Sequence, residues 1–185
     1  MDEPKRKGDW IQTYKGKKFW PLDPRPEEVN IEDIAHALSL ICRFNGHCNE
    51  FYSVAQHSVL VSDIVRPPEA FVALLHDGAE AYLGDVTSPV KRHLPNVKEI
   101  EKRLEKIIFQ HFKIENYDKE EISRADKIAL YTEMRDLMSE PPEMWEEFNI
   151  YQSLLLEKRI ITLDPGESER LFLEKYEALN CSGLI

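Results

Sequence analysis

Four side chains in this sequence have the types that a divalent cation binds. His57 stands in Ser53-Val54-Ala55-Gln56-His57-Ser58, and the pair His76-Asp77 follows the apolar run Phe71-Val72-Ala73-Leu74-Leu75. Asp126 sits in Arg124-Ala125-Asp126-Lys127-Ile128. Each interrupts a helical pattern where an apolar residue would pack more simply. Imidazole nitrogens and carboxylate oxygens carried on stiff helices can converge on one metal ion. One such residue alone reads as a satisfied polar group in a helix. Four of them, on three helices, read as a ligand set.

The elements that must position them are helical. Apolar residues at Ile31, Ile34, Ala35, Leu38 and Ile41 follow helical spacing and predict a helix over 31–42. A second is predicted over 54–65, closed by Pro67-Pro68, and a third over 69–82, ending before Gly84. A long amphipathic helix is expected over 94–112. Another is expected over 118–138 with Asp118 as its N-cap. Two more, over 143–160 and 167–179, are separated by the turn Asp164-Pro165-Gly166. The persuasive β element is a hairpin over 10–22, where aromatic and β-branched residues flank Lys15-Gly16 and Pro21, Pro24 and Pro26 end the pairing. The expected fold class is all-α with a small N-terminal β-hairpin, in one domain over 1–185.

Composition narrows the partners. The 185 residues are 42% hydrophobic and 31% charged, with a formal net charge of −10. That balance suits an ordinary globular domain and disfavours a nucleic-acid polymer as ligand, while a small anion remains allowed where basic residues gather locally. No stretch approaches the roughly 20 apolar residues of a membrane span. The opening Met1-Asp2-Glu3-Pro4-Lys5-Arg6 has no apolar run, so a secretory leader is not expected. Three cysteines, Cys42, Cys48 and Cys181, suit a reducing compartment, and a cytoplasmic location is expected. Cys42, His47 and Cys48 lie at a spacing that zinc sites use, but nothing nearby completes a tetrahedral set, which favours idle or buried thiols.

The order His57, His76-Asp77, Asp126 resembles the metal signature of the HD-domain phosphohydrolases, an α-helical superfamily. The block His76-Asp77-Gly78-Ala79-Glu80-Ala81-Tyr82-Leu83-Gly84-Asp85-Val86-Thr87-Ser88-Pro89-Val90-Lys91 is similar to that of bacterial 5′-deoxynucleotidases, phage dATP triphosphohydrolases and the oxetanocin-A phosphohydrolases. The last small group is also similar in Trp10-Ile11-Gln12-Thr13-Tyr14 and in Phe19-Trp20-Pro21-Leu22-Asp23-Pro24-Arg25-Pro26. The resemblance covers about residues 10–138, and the C-terminal segment carries no recognisable motif.

The resemblance implies that His57, His76, Asp77 and Asp126 are metal ligands. A shell of two nitrogens and two oxygens suits Mn²⁺, Fe²⁺, Co²⁺ or Ni²⁺ better than Mg²⁺, and a second divalent ion carried in with the substrate phosphates is allowed. It implies a catalytic role for Glu80, which helical spacing places on the face of His76 and Asp77, and for Asp85 after Gly84. The plain alternatives are a solvated carboxylate for Glu80 and a turn cap for Asp85. Arg43 and Lys91 match the cations that hold phosphate, and His47 stays unassigned. Trp20 and Leu22, two apart in an extended segment, would point the same way and hold an adenine, or else merely pin the hairpin. The implied activity is removal of phosphate or polyphosphate from a purine (deoxy)nucleotide or analogue by water attack at phosphorus. A 5′-mononucleotidase, a cyclic-nucleotide phosphodiesterase or an idle nucleotide-binding module are alternatives on the same scaffold. A small nucleoside phosphate is thus the expected partner, with a homo-oligomer allowed.

Overall fold

The computed structural model describes residues 6–181, so the charged opening at positions 1–5 and the last four residues lie outside it. The all-α expectation holds. Strands β1 (Ile11–Gln12) and β2 (Lys18–Phe19) pair antiparallel with Ile11 opposite Phe19, and the remaining regular elements are helices. Gly16, at φ 74°, closes the hairpin in the left-handed region that glycine tolerates.

Helices α1 (Ile31–Leu40) and α2 (Val54–Ile64) begin as their caps dictate. Asn30 accepts hydrogen bonds from the backbone N–H groups of Glu32 and Asp33, and Ser53 accepts from Gln56. Such caps satisfy backbone donors that the first helical turn leaves unpaired. Helix α2 is the axis of the molecule. It packs against α1, against α3 (Ala70–Leu75), against α7 (Lys119–Leu137) and against α9 (Pro165–Cys181), and is buried along most of its length. Short helices α4 (Glu80–Leu83) and α5 (Ser88–Lys91), then the long α6 (Pro95–His111), lie between α3 and α7. One apolar core runs through Ile34, Leu38, Leu74, Leu75, Leu104, Ile108 and Phe172, all at most 1% exposed. Phe19 stacks on Tyr82 with ring centroids 3.8 Å apart, which fixes the hairpin to α4.

Three local expectations need correction. The single helix over 69–82 is broken between α3 and α4. There the N–H groups of Gly78, Glu80 and Tyr82 each donate to the carbonyl three residues back, a tighter winding than the α-helix. His76 Nδ1 also takes the Ala73 carbonyl at 2.7 Å, an acceptor that a regular helix would offer to Asp77. A Cβ at Gly78 would lie 3.0 Å from the Leu75 carbonyl oxygen, so glycine fits this winding where a larger residue crowds it.

The helix expected over 143–160 is reduced to α8 (Phe148–Tyr151) and a 3₁₀ turn at Gln152–Leu154. Residues 155–163 then form a strap whose backbone is satisfied by side chains of α7 and α2. Thr132 Oγ1 accepts from the Leu156 N–H, Arg135 donates to the Leu156 carbonyl, and Asp136 accepts from the Ile160 N–H at 3.0 Å. Gln56 brackets the end of the strap, donating to the Ile161 carbonyl and accepting from the Leu163 N–H. These bonds replace the helical ones that the local pattern favours. Finally, Trp20–Asp23 is a turn closed by Asp23 N–H to Trp20 O at 3.0 Å, with Pro21 at its second position, so Trp20 and Leu22 do not share an extended segment.

Asp136 is the strap's anchor. Its side chain is 1% exposed and also accepts from Arg135 and Arg159 at 2.6 Å. Asp136→Ala should lower unfolding free energy by about 1.5–3 kcal/mol, the loss of hydrogen bonds to a charged acceptor. Urea melts check that value, and hydrogen exchange should show residues 155–163 opening first.

Candidate metal centre

The predicted ligands come together at the meeting of α2, the α3–α4 junction and α7. Ligand atoms of His57, His76 and Asp126 lie within 4.8 Å of one another. His57 Nε2 is 3.2 Å from Asp126 Oδ1 and 3.6 Å from Asp77 Oδ2, and His76 Nε2 is 3.3 Å from that same Asp77 oxygen. All four expected ligands therefore border one small volume.

Each imidazole is held by its other nitrogen. His57 Nδ1 donates to Glu133 Oε1 at 2.6 Å, and His76 Nδ1 donates to the Ala73 carbonyl. Both Nε2 atoms are buried and lack a hydrogen-bond partner. Metal-binding histidines are oriented in this way, with a carboxylate or carbonyl fixing one nitrogen while the other faces the ion. The donor set of His57, His76 and Asp126 could hold a metal ion, with Asp77 bordering it.

Glu133 escaped the sequence reading. It lies two helical turns after Asp126 on α7, so both face α2, and it is fully buried. Its second oxygen accepts from Arg43 Nη2 at 3.1 Å. His57 and Arg43 hold the Glu133 carboxyl well below the usual range against the opposing effect of burial. The available signal was the i, i+7 spacing from Asp126 in a helix whose neighbouring positions are apolar.

The electrostatics call for positive charge. Burial and Arg43 oppose protonation of His57, yet Glu133 and Asp126 outweigh them and raise its pKa to about 9. Burial opposes ionisation of Asp126 as well, but His57 and His76 hold it as a carboxylate. The groups that draw a proton onto His57 are the ones that would draw a dication in its place.

The expected catalytic acids lie near enough to the ligands for both to feel the Asp77 charge. Glu80 is only 6% exposed, which rules out a solvated carboxylate, and burial together with Asp77 and Asp85 raises its pKa to about 9. The tighter winding after His76 places Glu80 one three-residue turn from Asp77. Its Oε2 is buried without a hydrogen-bond partner. Asp85 is half-buried, raised first by burial, and interacts electrostatically with Arg43, Asp77 and Lys91. Lys91 Nζ is 2.6 Å from Glu101 and 4.0 Å from Glu80.

Arg43 is 12% exposed and reaches inward from a turn with Phe44, Asn45 and Gly46 at φ 55°, 53° and 79°. Left-handed backbone at non-glycine residues costs about 1–3 kcal/mol each, so the surroundings hold this turn in place. Arg43 is first a partner of Glu133, with Nη1 3.9 Å from Asp77 Oδ2. His47 is exposed at the end of the turn. Trp20 packs under the Arg6 guanidinium at 4.2 Å, and Leu22 lies against Gly8. Among the described residues, no hydrogen bond, ion pair or ring contact joins Trp20 or Leu22 to the His/Asp cluster. None of these helices is long and apolar enough to cross a membrane.

No family model matches the chain. An uncharacterized protein of Rhodobacter capsulatus is 35% identical over 130 residues, which cover 65% of this chain and 66% of that protein. The uncharacterized protein YfdR of Escherichia coli (strain K12) is 37% identical over 171 residues, 92% of this chain and 96% of YfdR. With that identity over nearly the whole of both proteins, the chain belongs to the YfdR family.

Proposed function

We propose that this protein is a metal-dependent phosphohydrolase of the HD superfamily, removing phosphate or polyphosphate from a purine (deoxy)nucleotide or analogue, adenine type favoured. One observation carries the reading: His57, His76 and Asp126 converge within 4.8 Å beside Asp77, and neither imidazole Nε2 makes a hydrogen bond. The donor set favours Mn²⁺, Fe²⁺, Co²⁺ or Ni²⁺. A divalent ion held there supplies Lewis acidity, lowering the pKa of water and offsetting charge on a phosphate.

The chain's own residues supply the rest. In the metal-free protein, burial together with Asp77 and Asp85 raises the Glu80 carboxyl, and its buried Oε2 is left for a group that enters the site. There it orients the attacking water or gives a proton to the leaving oxygen. Asp85, which feels the charges of Arg43, Asp77 and Lys91, shares that positioning. Lys91 and the inward guanidinium of Arg43 attract the phosphate, while Arg43 also keeps Glu133 on His57. The adenine preference rests on the resemblance at Trp20 and Leu22. A nucleotide-binding protein without activity is disfavoured because no ligand of the set is missing.

A panel of nucleoside mono-, di- and triphosphates, assayed with each divalent metal in turn, tests the reading. Adenine (deoxy)nucleotides should release phosphate or polyphosphate with a transition metal present, and Asp126→Ala should lose the activity while keeping its helical spectrum. Full turnover in excess chelator would overturn the metal chemistry.

Glu133→Gln should weaken metal binding by about 10–100-fold, as loss of an orienting partner does at other histidine sites. Equilibrium dialysis measures it, and an unchanged affinity would leave Glu133 a structural residue.

Glu80→Gln should keep its metal but lower kcat at least tenfold, the low end of an acid–base contribution. It should also alter stability without metal. In the parent, the unfolded Glu80 ionises first as pH rises past 4.5, while the folded carboxyl holds its proton to about 9. The parent therefore loses stability across that window. Glu80→Gln should melt several degrees higher than the parent at pH 8 in chelator, with the gap closing toward pH 4.

A further inference from the structure

Cys42 and Cys48 face each other across the turn that carries Arg43. Both thiols are free and half-buried, with their sulfur atoms 3.6 Å apart. A disulfide needs about 2.05 Å, so an approach of about 1.6 Å would join them. The backbone already doubles back between them, through the left-handed residues Phe44, Asn45 and Gly46. Both flanks are fixed. Cys42 bridges Ser53, the Arg43 N–H donates to the Tyr52 carbonyl at 2.8 Å, and the Asn49 N–H donates to the Leu137 carbonyl at 2.8 Å. The thiols are thus held together by tethered chain on either side, and exposed residues 45–47 leave the turn open to a small reagent.

We propose that Cys42 and Cys48 are a redox pair that forms a reversible disulfide across Arg43. The oxidant is a small-molecule disulfide of the glutathione class. One protein thiolate attacks it, forming a mixed disulfide and releasing one small thiol. The second protein thiolate attacks the protein sulfur of that bond and releases the other. The protein gives up two protons and two electrons, and the small disulfide becomes two thiols.

Closure reaches the candidate metal centre by a short path. Cys48 Sγ donates to the Arg43 carbonyl at 3.7 Å, a contact that the disulfide removes. Arg43 holds Glu133, and Glu133 holds His57. Oxidation therefore weakens metal binding. This half of the proposal rests on the metal reading above.

The test uses the full chain carrying Cys181→Ser, which removes the exposed third thiol. Titration with oxidised glutathione, read by intact mass, should give a species lighter by two hydrogen atoms that dithiothreitol restores. Adding Cys42→Ser or Cys48→Ser should abolish it. Stable glutathione adducts in place of the closed form, or no change in excess oxidant, would overturn the pair. Cobalt(II) titration should then show affinity at least about fivefold weaker in the oxidised form, the low end of ordinary coupling between sites. Equal affinity in both forms would overturn the coupling and leave the disulfide standing. Cobalt binding to neither form would count against the metal reading itself, separately from the mass result.

Discussion

A carboxylate without access to water must have its charge answered by the protein, and Glu133 is in that position. It sits between His57 and Arg43 with no exposure, accepting a hydrogen bond from each. Removing one partner from such a buried set typically costs about 3–5 kcal/mol, because the remaining charge is stranded. Three parts of the chain are therefore tied at one point: the turn after α1, the axial helix α2 and the long helix α7. The strained backbone at Phe44 and Asn45 makes sense as the route by which Arg43 reaches a charge deep in the molecule. The orientation of His57, and hence the direction of its free nitrogen, follows from the same contact.

Much of the frame was legible in the sequence because it rests on local chemistry. The cap at Asp118 acts within three residues of itself, and the apolar spacing of α1 reports directly on burial. The four metal-facing residues were legible for a related reason. Polar groups placed where packing favours apolar ones stand out without a structure.

The parts that were not legible depend on partners distant in sequence. Residues 155–163 have a pattern compatible with a helix, but Thr132, Asp136 and Gln56 offer their backbone a different set of bonds. The break after Leu75 turns on His76 capturing the Ala73 carbonyl, which a reading of helical periodicity does not register. Glu133 resembled the many charged residues of α7, such as Glu120, Glu121 and Arg124. Its i, i+7 spacing from Asp126 and its place against α2 separate it from them. Trp20 was read as extended because its aromatic neighbours favour a strand, whereas Pro21 decides the local geometry in favour of a turn.

Helix α7 carries Asp126, Glu133 and Asp136 on one rigid rod. At about 100° per residue, the first two share a face and the third looks toward the strap. Adding or deleting one residue between them would rotate the later groups by that same angle, parting Glu133 from His57 and Asp136 from Ile160 together. The number of residues from Asp126 to Asp136 is therefore as tightly constrained as their identities. Extra residues are better accommodated in places such as the loop after Met138, where they would shift neither the centre nor the strap.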